Sequence, residues 1–159
     1  MTPRDHLLRL LAPVAPGTRV AVVGSADGAL AADLAALGLD VWACDAAPEA
    51  VEATRARLAE VLPDAAARAT RAAATALGYP DSFSPWVALD LDRAEDPAEA
   101  FVEAARVVAL GGWVRVASAD PAALLGLPLP PDVVPVEVPK PLDGGAACLF
   151  RRVGDGVVA

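Results

Sequence analysis

Gly24, Gly28 and Asp45 carry the first chemical hint in this chain. The turn Gly24-Ser25-Ala26-Asp27-Gly28 interrupts an apolar run, Arg19–Val23 (RVAVV), and leads into a pattern with leucines at 30, 34 and 37. A glycine turn after a buried strand lets a ligand approach the backbone closely. Asp45 ends the next apolar run, 21 residues after Gly24. At that spacing a carboxylate accepts hydrogen bonds from a ribose diol. Asp90 and Asp92 sit at the C-terminal rim of another run, Pro85–Leu91 (PWVALDL), where a carboxylate could serve as a base. The same residues also suit a plain core unit, with the glycines only turning the chain and Asp45 capping a helix.

Either use needs a parallel sheet with helices between its strands. Thr2-Pro3-Arg4-Asp5 has the form of a capped helix start, with Pro at the first position and Asp5 as capping-box partner. Leu7, Leu8, Leu10 and Leu11 give that helix an apolar face, with His6 at its rim. Strand Arg19–Val23, a helix from Gly28 to Gly38 and strand Val41–Cys44 follow, then a helix from Pro48 to about Leu62. In Pro63–Leu77 β-branched residues are scarce, so Arg68–Arg71 reads as a poor edge strand or the edge is partly helical. Asp96-Pro97-Ala98-Glu99 starts a helix that the pattern ends at Gly111-Gly112. Strands Trp113–Ser118 and Val133–Val138 come next, and Ala146–Val153 returns antiparallel.

Composition narrows the classes. The 159 residues are 55% hydrophobic and 21% charged, as in a globular domain, and the chain reads as one domain, 1–159, with a core at 17–153. A net charge of −8 argues against a nucleic-acid partner. No apolar run approaches the length of a membrane span, and no signal peptide is apparent, so the expected location is cytoplasmic. Cys44, Cys148 and the lone His6 form no metal-ligand pattern.

Three segments carry a family resemblance: VAVVGSADG, VWACDAAPEAV and DPAEAFVEAARVVALGGWVRV. Together they resemble class I S-adenosylmethionine-dependent methyltransferases, in particular the small ubiquinone-biosynthesis-like, type 11 group. The resemblance implies a Rossmann-like α/β doubly wound sheet of seven strands, ordered 3-2-1-4-5-7-6 with strand 7 antiparallel. It implies S-adenosylmethionine as cofactor, held at the ends of strands 1 and 2 by Gly24, Ser25, Ala26, Gly28, Asp45 and Ala46. The acceptor is unidentified, and Asp90 is the candidate base, ahead of Asp92, Tyr79 and His6. Val22 stands where the family has an acid toward the ligand's amino group. Ala26 replaces the middle glycine, and Ala73 falls where the adenine-side acid belongs. These departures weaken cofactor binding and keep open a non-catalytic, methyltransferase-like scaffold, as a homodimer or paired with a relative. A nicotinamide-dinucleotide site, favoured only by Gly24 and Asp45, lacks the third-glycine spacing.

Overall fold

The computed structural model of the protein describes residues 1–154; the last five residues of the expected domain lie outside that range. Helix α1 (Pro3–Leu11) carries a complete capping box, Thr2 Oγ1 accepting from the Asp5 amide and Asp5 reaching back to the Thr2 amide. Then come β1 (Arg19–Val23), α2 (Ala29–Ala36), β2 (Asp40–Asp45) and α3 (Pro48–Ala59). The alanine-rich stretch resolves both ways at once, as a single-turn α4 (Ala65–Arg68) and a three-residue edge strand β3 (Ala69–Arg71).

The second half runs β4 (Ser84–Asp90), a 3-10 turn (Leu91–Arg93), α5 (Pro97–Val107) and β5 (Val108–Ser118). Helix α5 therefore stops four residues before the double glycine. Gly111 (φ +77°) and Gly112 lie inside β5, beside a register shift against β4. A Cβ at Gly112 would stand 2.6 Å from the Pro85 carbonyl oxygen, so here glycine permits strand contact and does not end a helix. The rest is α6 (Pro121–Leu125), β6 (Val133–Pro135), β7 (Lys140–Leu142) and β8 (Gly145–Arg152).

The sheet order is β3-β2-β1-β4-β5-β8-β6, with β7 also paired to β8. Strand β8 is antiparallel and takes the place expected of the seventh strand, and β7 is a short addition within the expected turn. Alternation along β1 divides the core. Val20 and Val22 face α1, α2 and α3, whereas Ala21 and Val23 face α5 and α6. All five parallel strands direct their C-terminal ends to one rim.

Candidate functional site

Along that rim, the glycine turn, the tips of β4 and β5 and the start of α1 border a crevice of about 360 Å³. Gly24, Ser25 and Ala26 line it together with Asp90, Asp92, Arg115 and Ser118. Gly28, Asp45 and Ala46 do not. The expected site residues thus divide into two groups.

Gly28 has a packing task. At φ +83° it precedes α2, and a Cβ there would stand 2.5 Å from the Thr54 Cα, so its absence brings α2 and α3 together. Ser25 joins the same contact, its Oγ 2.8 Å from Thr54 Oγ1. Ala26 holds φ +51°, a left-handed conformation that costs an L-residue about 1–2 kcal/mol. Its amide reaches Asp45 Oδ2 at 3.1 Å, which the αL backbone makes possible.

Asp45 is 4% exposed and its carboxylate is saturated. Arg93 donates Nε to Oδ2 at 2.6 Å and Nη2 to Oδ1 at 3.0 Å, and the Ala47 amide adds a bond to Oδ1 at 3.0 Å. Burial alone would raise the Asp45 pKa, but Arg93 and the Ala47 and Ala26 amides outweigh it and hold the carboxyl below its ordinary value. Arg93 also lies over the turn, since a Cβ at Gly24 would meet Arg93 Cβ at 3.2 Å. The two-donor fork of Arg93 thus occupies both oxygens of Asp45. Ala46 is exposed, and its carbonyl accepts from Arg71 Nε at 3.1 Å.

The other end is differently charged. Asp90 accepts only the Asp92 amide, at 3.1 Å, and forms no ion pair among the described residues. Burial raises its pKa; the Asp92 amide opposes this, and the charge of Asp92 adds to it. Asp92 instead ties two strand ends, accepting from Ser118 Oγ and the Ala119 amide, each at 2.7 Å. Arg115, 4% exposed in β5, donates Nη2 to the Pro3 carbonyl and lies 3.4 Å from His6 Nδ1. Its Nε has no partner among the described residues, a deficit of about 1–3 kcal/mol for a buried polar group. Burial lowers the Arg115 pKa to about 10, and the charge of Asp90 partly offsets this. Burial and Arg115 also lower the His6 pKa. Tyr79 lies on the opposite face, stacked on Phe83 at 4.6 Å, away from the crevice.

Arg93 and Arg115 were not among the expected site residues. A charge inside the apolar run Trp113–Ser118 was the available signal for Arg115. Arg93 had none, because its partner is 48 residues distant.

A family model described as a methyltransferase domain matches residues 21–116. Comparison with curated proteins finds no match. Among solved structures, a putative methyltransferase from Bacillus halodurans aligns at TM-score 0.63 and 19% identity, over 73% of this chain and 50% of its own. A putative S-adenosyl-L-methionine-dependent methyltransferase from Methanococcus maripaludis gives 0.71 and 13%, over 98% and 85%. The N-methyltransferase NodS from Bradyrhizobium japonicum, in complex with S-adenosyl-L-homocysteine, gives 0.70 and 18%, over 95% and 88%. This chain therefore spans half the length of the first of these and most of the other two.

Proposed function

The chain belongs to the methyltransferase-domain family, and from that premise we propose that it transfers a methyl group from S-adenosylmethionine to a small acceptor in the crevice beneath α1. The observation that carries this reading is that the family match runs from β1 into β5 and so takes in β1, β4 and β5, the strands whose tips border the crevice. We read residues 1–159 as one domain of this kind.

The residues suit the cofactor with one exchange. Bound S-adenosylmethionine would supply an activated methyl group on sulfur. Asp45 would accept its ribose diol once Arg93 withdraws; fork and diol each present two donors, so the exchange conserves the carboxylate's hydrogen bonds. Arg93 is long and one-third exposed, so its side chain has somewhere to go. The glycine turn borders the cofactor's path, and Asp90 is the base available when an acceptor must lose a proton. Its raised pKa brings it nearer to that task. Positioning between α1 and the strand tips supplies the remainder of the advantage.

A second reading is a methyltransferase-like protein that binds without catalysing, favoured by Arg93 on Asp45 and by Val22 where the family carries an acid. Calorimetric titration with S-adenosylmethionine, followed by a methyl-transfer assay on an acceptor panel, separates the two. Binding with turnover supports the enzyme; binding without turnover on any acceptor supports the second reading. Absence of binding counts against both uses of the cofactor.

A further inference from the structure

Ten large hydrophobic side chains are exposed among the described residues, and half of them fall between Leu125 and Val138. Scattered singly they would need no explanation; gathered on one stretch they mark a contact surface. Four of them, Leu125, Leu129, Val136 and Val138, line a groove of about 440 Å³ between α6 and the segment that begins at β6. Buried Leu124, Cys148 and Phe150 form its floor. Leu125 is 75% exposed and Val138 82%, so both project from the sides of the groove as knobs. Leu124–Pro139 carries only two charges, Asp132, which pairs with Arg152, and Glu137. Its five prolines hold the backbone near one conformation, so little remains to be ordered on contact.

We propose that this face binds a second copy of the chain in a two-fold dimer, with Val138 of each copy entering the groove of the other. An isologous contact needs a surface that complements itself. Groove and knob lie side by side here, and so do two opposite charges. Glu137 and Lys140 stand on either side of Val138-Pro139, and neither forms an ion pair among the described residues. A two-fold axis near Val138 sets Glu137 of each copy against Lys140 of the other. The net charge of −8 opposes contact of two copies through an acidic face, and this face is nearly uncharged. Sixteen residues from Leu125 to Lys140 approach the roughly 20 that a standard interface takes from each partner. A partner that adds a strand finds no donors. The Val136 amide donates inward to the Leu149 carbonyl at 2.9 Å, so alternation turns Val133 and Pro135 outward. The Val133 amide is spent on the Pro130 carbonyl at 3.0 Å, and Pro135 has no N–H. The groove shares no lining residue with the crevice, so dimer formation stands apart from the methyltransferase reading.

Sedimentation equilibrium of the full chain from about 1 μM to 1 mM reads the association directly. A monomer–dimer equilibrium is expected, and Val138→Asp should weaken it about tenfold or more. Val138 is exposed, so this change leaves the core intact. Glu137→Lys and Lys140→Glu should each weaken the dimer about threefold or more, because like charges then meet across the axis. Combining the two changes should restore the dimer to within about twofold of wild type, a rescue expected only where the chain faces itself. A chain that stays monomeric throughout the range overturns the proposal, and so does a dimer indifferent to Val138→Asp. A dimer that the double swap does not restore overturns the two-fold arrangement. A monomer that takes up anilinonaphthalene sulfonate and loses it on Val138→Asp gives the groove to a small apolar ligand instead, against the proposal.

Discussion

The two ends of the crevice rim use carboxylates in opposite ways. At the β2 end, Asp45 is buried, fully hydrogen-bonded and paired to Arg93, with its pKa held down. At the β4 end, Asp90 has one backbone donor and no ion pair among the described residues, with its pKa pushed up. The residue with the recognisable spacing is closed, and the residue available to a ligand sits in an undistinguished strand end. A motif marks where a group stands; the donors around it decide what the group can still accept.

That contrast can be broken from either end. The largest expected effect comes from Gly28→Ala, which sets a Cβ against the Thr54 Cα and demands φ near +83° of an L-residue. Overpacking and backbone strain together should cost about 3 kcal/mol or more in urea denaturation. A loss under about 1 kcal/mol would show that α2 and α3 can separate freely.

Arg93→Ala should cost about 2 kcal/mol at pH 7, because it strips charged hydrogen bonds from a buried carboxylate. The Asp45 pKa is lowered on folding, so this contribution is present above the unfolded value of 3.8 and is lost as pH falls through the folded pKa. Denaturation curves of wild type and variant should therefore converge in acid. A difference that does not depend on pH would assign the loss to packing instead.

Ala26→Gly should stabilise by about 0.5–1 kcal/mol, the relief of the left-handed alanine less the added freedom of glycine when unfolded. Destabilisation would mean that the Ala26 methyl makes contacts worth more than its strain. At the open end, Asp90→Asn should raise the melting temperature slightly at pH 7. The Asp90 pKa is raised on folding, so the gain appears as pH rises through the folded value and vanishes below 3.8. A gain that persists in acid would not come from charge burial.

How much of this was legible depended on how local its cause was. The Thr2 cap, the β1 turn and the Asp96 cap are set by near neighbours in the chain, and each was readable there. The end of α5 is not legible in the sequence, because a double glycine halts a helix or permits a bulge with equal ease, and only the β4 neighbour decides between them. Strand β3 rests on pairing with β2 rather than on β-forming side chains. For Asp45, position was legible and availability was not, since Arg93 reaches it through the fold and not along the sequence.

Arg93 donates to both oxygens of Asp45, the carboxylate that the proposed function gives to a ribose diol. Calorimetric titration of S-adenosylhomocysteine into wild type and Arg93→Ala tests the exchange of fork for diol most directly. Removal of a competitor worth about 1.5–3 kcal/mol should tighten binding at least tenfold, and Asp45→Ala in the same background should abolish that gain. Equal or weaker binding by Arg93→Ala would contradict this exchange and place the nucleoside away from Asp45.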